Sequence, residues 1–175
     1  MTSRNRNLRQ TIFIGLPLIA YLFLLFLFLF CKASSFQSVN LIPFHSILSY
    51  CTQGGPFALG NLLGNFFLLM PMGVYLALLN PNGSLPKNTV LILLFSVAVE
   101  FIQYLFRVGA ADIDDVLLNG LGGFVGVLLF CFFEKRLKRQ AIRIVGTISW
   151  LIGIAFILVL LTLQSGMLGI RIRFL

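Results

Sequence analysis

Four of the chain's five acidic residues fall in one short stretch: Glu100, Asp112, Asp114 and Asp115, with Glu134 apart. Carboxylates gathered like this can do three things. They can move a proton at a reacting atom, hold a hard cation such as Mg2+ or Ca2+, or hydrogen-bond a polar head group. The run "DIDD" (112–115) lacks the D-x-D-x-D-G spacing of a calcium loop. A plainer role fits it, in which Asp112 or Asp114 caps a helix start, where exposed N–H groups and the helix dipole favour acids. No metal site and no cofactor site is assigned. The lone His45, after Pro43 and Phe44, has the chemistry of a general base but no evident nucleophile to activate.

Spacing extends the acidic set into a polar constellation. Glu100, Gln103 and Arg107 follow +3 and +4, which predicts one shared helix face. Asp115, Asn119, Gly122 and Gly126 follow +4, +3 and +4, a stripe that turns from polar to small. Asn61 and Asn65 are four apart, beside Gly60 and Gly64. Small residues at such spacing let helices approach closely, so Gly60, Gly64, Gly122 and Gly126 are read as packing positions. The polar residues have two readings: cross-helix bonds that fix a bundle, or the lining of a cavity that holds a polar head group.

The elements that must carry these residues are apolar. The 175-residue chain is 59% hydrophobic and 10% charged, with a mean hydropathy of +1.01. Its apolar residues form runs close to the roughly 20 residues a bilayer requires: 11–31, 58–79 with Pro71 inside, 88–106 with Glu100 as its one acid, 116–133, and 144–163. Pro71 and Gly73 predict a kink in the second run. The expected fold is an all-α integral membrane protein, a bundle of about five transmembrane helices. It comprises a basic tail (1–10) and one membrane domain (11–175). Cys31 and Cys51 could pair, but the cysteines read better as small apolar residues near helix ends.

Charge sets the expected orientation. Nine of the 13 Lys and Arg (Arg4, Arg6, Arg9, Lys87, Lys135, Arg136, Lys138, Arg139, Arg143) lie on one side if the five runs all cross, and four on the other (Lys32, Arg107, Arg171, Arg173). The positive-inside bias then puts the N-terminus in the cytoplasm and the C-terminus outside. Basic residues confined to the flanks of apolar runs, with no aromatic-laced basic face, argue against nucleic-acid binding despite the net charge of +8. In this topology Asn61, Asn65, Glu100, Gln103, Arg107, Asp112, Asp115 and Asn119 all come to one depth near the outer leaflet. A one-sided cluster argues against a transporter, which needs polar groups at the midplane and on both sides. The long outer segment 32–57, with "LIPFHSILSY" in its middle, is too short to cross and is expected to lie in the interface or dip in partway.

Four ordered elements carry a resemblance: "VNLIPF" (39–44), Gly64-Asn65 followed by "PMG" (71–73), "EFIQ" (100–103) and "GAADIDDVLLNGLGGFVG" (109–126). Together they make the chain resemble the VanZ-like membrane proteins, with core motifs over 39–126. The resemblance implies a multi-pass protein in the plasma membrane of a Gram-positive type bacterium. It also implies lowered susceptibility to teicoplanin-type glycopeptide antibiotics, which carry a fatty tail. The partner expected at the outer-leaflet cluster is a membrane lipid, a lipid-linked cell-wall precursor, or the antibiotic itself. The preferred reading is a non-enzymatic protein. The alternative is a membrane enzyme that modifies such a lipid, with Glu100 or an Asp as acid/base.

Overall fold

The computed structural model describes residues 3–31, 39–54, 58–80, 82–107 and 111–164. In chain order they form α1 (Ser3–Cys31), β1 (Val39–Asn40), α2 (His45–Gln53), α3 (Ala58–Leu68), α4 (Met70–Leu79), α5 (Leu85–Leu105), β2 (Ala111–Asp112), α6 (Ile113–Leu137) and α7 (Arg139–Gln164). Among the described residues, three helical stretches are long and apolar enough to cross a membrane: Ala58–Leu79, Leu85–Leu105 and Ile113–Leu137. Thr11–Leu27 and Gln140–Ala155 are shorter apolar stretches within α1 and α7. The expected all-α architecture holds for the helices. Added to them, among the described residues, are the short helix α2 and a two-residue parallel ladder that pairs Val39 with Ala111 and Asn40 with Asp112.

The chain divides into two compact units, Met1–Leu24 with Arg139–Leu175, and Leu25–Lys138. In the first, α1 meets α7 at a point set by Pro17. Proline has no N–H, so the carbonyl of Phe13, four residues back, has no helical donor. The indole Nε1 of Trp150 donates to that carbonyl at 3.0 Å. Beside it, a Cβ on Gly146 would collide with the Phe13 ring, so the glycine lets the two helices close on each other.

In the second unit α6 packs against α3, α4 and α5. Its glycines allow this. A Cβ at Gly122 would overlap the Phe66 carbonyl of α3, and one at Gly126 the Met70 carbonyl of α4. Gly73 of α4 meets the backbone of Gly123 in the same way. On the α5 side, Gly120 and Gly123 receive the side chains of Leu93 and Ile92. Leu69, Ile92 and Val127 close the core, each essentially without solvent contact. A Cβ added at Gly60 or Gly64 would meet nothing within 4 Å among the described residues.

Pro71 acts as expected, though the break falls at Leu69, with φ −97° and ψ 0°, and Pro71 stands in the first turn of α4. There its missing N–H costs least. The turn between α4 and α5 is held by Asn80, whose Nδ2 donates to Oδ1 of the buried Asn88 at 3.0 Å. Ser84 caps α5 and Pro86 sits in its first turn. In α6, Asp114 and Asp115 occupy the first turn and Lys135 and Arg136 the last, both matching the helix dipole.

Candidate functional site

The ladder between β1 and β2 sets Asn40 beside Asp112, and the polar network grows from that pairing. Asp112 is the N-cap of α6, its carboxylate accepting from the Asp114 N–H at 2.9 Å. The same carboxylate accepts from Asn40 Nδ2 at 3.0 Å and from Ser46 Oγ. Asn40 Nδ2 also donates to Ser46 Oγ, and Asn40 Oδ1 accepts from the Ile42 N–H, which closes a local turn. The backbone N–H of Asp112 points to Glu100 Oε2 at 3.4 Å. Asp112 thus joins the segment 39–47 on one side to α5 on the other.

Asp114 works differently. It belongs to the first turn of α6 but caps α2. Its carboxylate accepts the backbone N–H groups of Phe44, Ser46 and Ile47 at 2.5, 2.8 and 3.1 Å. Those donors lie at the N-terminus of α2, where Phe44 stands in the left-handed region with φ 65° and offers no side-chain cap. Asp114 is 1% exposed. Of the two aspartates expected to cap a helix, Asp112 caps its own and Asp114 another.

The remaining polar residues line the joints of the same unit. Asn65 of α3 donates through Nδ2 to Asp115 Oδ1 of α6. Ser96 of α5 donates to the Val116 carbonyl of α6 at 3.1 Å. Asn65, Ser96, Glu100, Gln103 and Asn119 are buried, Asn61 and Asp115 half-buried. Asn119, one turn beyond Asp115, has its Oδ1 buried without a hydrogen-bond partner among the described residues. Arg107 departs from the predicted face. Helix α5 ends at Leu105, with Phe106 as its C-cap, so the +4 step from Gln103 leaves the helix. Arg107 has φ 56°, lies exposed, and makes no ion pair among the described residues.

Three positions were not assigned from the sequence: Asn40, Ser46 and Ser96. The first two lie in or beside "VNLIPF", where period-2 or helical counting has nothing to register. Their partners stand some 70 residues away. Gly73 was read with Pro71 as a kink and not as a packing position, and Gly123 only as part of the stretch 109–126. The side chain of Cys31 lies outside the described residues, and Cys51 and Cys131 are free thiols. Among the described residues no group of three or more His, Cys, Asp or Glu side chains is placed to hold a metal ion.

The site is rich in acceptors. Carboxylates of Glu100, Asp112, Asp114 and Asp115 accept from backbone N–H groups and from Asn and Ser side chains, and the Asn119 amide oxygen adds a further buried acceptor. Such a set can orient N–H and O–H groups. Comparison with known proteins gives a consistent assignment. No solved structure matches the chain. Protein VanZ of Enterococcus faecium is 32% identical over 133 residues, which covers 74% of this chain and 73% of that protein. The VanZ/LLP1 family model matches residues 18–134, a range that contains every residue of the polar network. The chain therefore belongs to the VanZ/LLP1 family.

Proposed function

We propose that this protein is a multi-pass plasma-membrane protein of a Gram-positive type bacterium. On this reading it lowers susceptibility to teicoplanin-type antibiotics through a polar cluster at the outer leaflet that meets a lipid or another amphiphile. If all five apolar runs cross, the basic residues at one set of helix ends put the N-terminus in the cytoplasm. The observation that carries the reading is the Asn65–Asp115 hydrogen bond, with Glu100 bound to the neighbouring Asp112 backbone. These contacts gather polar groups of α3, α5 and α6 at the end of the unit where α5 stops and α6 begins. Intramembrane ionisable residues are functional candidates by default, because an unpaired charge at mid-bilayer costs about 2.5–3.5 kcal/mol or more. Kinship with Protein VanZ supports the link to glycopeptides.

The mechanism follows from the tail. An acyl chain gains about 0.8 kcal/mol per buried CH2, so it supplies much of a lipoglycopeptide's membrane affinity. A protein with a polar cluster at that leaflet can compete with the tail or alter the lipids it meets. Expression in a susceptible Gram-positive host should raise tolerance to teicoplanin more than to the same drug stripped of its tail. Glu100→Ala and Asp115→Ala should lose the effect while still reaching the membrane, and Arg107→Ala should keep it. Equal protection against both drugs would sink the proposal. For topology, a thiol at Arg107 should react with an impermeant reagent on intact cells and one at Lys135 should not, both in a chain without its own cysteines. The reverse pattern would overturn the orientation.

A further inference from the structure

The segment 41–48 presents a dense apolar surface that the second unit does not bury. Leu41 is 71% exposed, Ile42 65%, Phe44 64% and Leu48 63%. Phe44 directly precedes α2, and its carbonyl accepts the Leu48 N–H at 2.9 Å, which ties these two apolar positions together. Large apolar side chains this concentrated on a short, well-tied segment signal a contact surface. The question is what they touch.

Two observations point to lipid. The first is position. Asp112 and Asp114 hold this segment to the start of α6, a helix apolar and long enough to span, at the end where α5 stops. The second is the way the backbone is satisfied. In water, the free N–H groups at the start of α2 would be hydrated without help. Here a carboxylate that is 1% exposed takes three of them. Burying a charge is costly unless its hydrogen bonds are needed. It is needed where water is scarce, because backbone donors at membrane depth must be met from within the protein.

We infer that residues 41–52 form an in-plane anchor, lying in the lipid head-group and upper acyl region at the membrane face where α6 begins, with Leu41, Ile42, Phe44 and Leu48 inserted among the lipids. Asp114 is the positioning residue: it closes the polar end of α2 so that its apolar side can enter lipid. A re-entrant segment is disfavoured, because α2 ends at Gln53 after nine residues and Gly54 turns the chain with φ 64°. The inference depends neither on which leaflet this face belongs to nor on the antibiotic reading.

The test uses the unmodified chain in vesicles made with phospholipids that carry a diazirine either near the head group or at the end of an acyl chain. After photolysis and digestion, adducts are mapped by mass spectrometry. The head-group-proximal probe should modify residues 41–48, and the chain-end probe should not. Exposed Leu94 and Leu63, within the spans, report whether each probe reaches the protein. Adducts on the spans but none on 41–48 from either probe would overturn the anchor. That result would mean the surface faces water or is covered by protein, such as a second copy. Equal labelling of 41–48 by both probes would also overturn it, in favour of deep insertion. In Asp114→Ala protein the head-group adducts on 41–48 should fall while those on the spans persist. Unchanged labelling in that variant would remove Asp114 from the positioning role.

Discussion

The carboxylate of Asp114 accepts the backbone N–H of Ser46 at 2.8 Å, across 68 residues of chain. One acid therefore closes the N-terminus of a helix to which it does not belong. With its two further bonds, to Phe44 and Ile47, it replaces the capping side chain that Phe44 lacks.

Removing that carboxylate should release α2 locally. An unsatisfied buried donor costs about 1–3 kcal/mol, so Asp114→Ala should speed amide hydrogen exchange at Ser46 and Ile47 while amides deep in α6 keep their protection. Asp114→Asn retains one acceptor oxygen and should fall between. Exchange that speeds equally throughout the unit would mean that Asp114 supports global folding instead of one helix end.

Glycines on the two packed helices should respond unequally. At Gly122 a Cβ would overlap the backbone carbonyl of Phe66, which cannot swing aside as a side chain can. Gly122→Ala should therefore force α3 and α6 apart, at a cost of about 1–3 kcal/mol for overpacking, and lower the yield of folded protein in detergent. Gly60→Ala adds its methyl to open space. It also gains helix propensity, up to about 1 kcal/mol, so its yield should hold or rise. The comparison is read by size-exclusion chromatography and thermal unfolding of the two variants side by side.

The Trp150–Phe13 bond exists because Pro17 leaves a carbonyl free. Trp150→Phe should cost about 0.5–1.5 kcal/mol, the net worth of a hydrogen bond. In a Pro17→Ala background the Phe13 carbonyl regains a helical donor, and the same Trp150→Phe change should cost less. A double-mutant cycle measured by denaturant unfolding gives the coupling. Additive effects would show that the indole bond and the proline act independently.

The primary sequence determined where the long apolar helices lie, but not all their limits: α1 begins at Ser3 and α7 at Arg139, outside the uncharged runs, and α2 was not assigned as a helix. Uncharged runs of the length a bilayer requires have few other outcomes, and Pro71, Ser84 with Pro86, and Asp112 mark where helices break or begin. Helical counting also placed Asn65, Glu100, Asp115 and Asn119 on faces that the fold brings into the joints of one unit, because a 3.6-residue period is a property of the local chain. It failed at Arg107, where the helix ended before the periodicity argument did. Tertiary structure alone decided which partner each polar group took. Asp114 was free, on sequence grounds, to cap its own helix. It caps α2 because the short ladder 39–40/111–112 brings the start of α2 within reach and leaves the α6 cap to Asp112. Likewise four glycines had packing spacing; among the described residues a Cβ at Gly122 or Gly126 would meet a neighbouring backbone, and one at Gly60 or Gly64 would meet nothing within 4 Å. Spacing selects a face of a helix, and which faces touch depends on where the other helices lie.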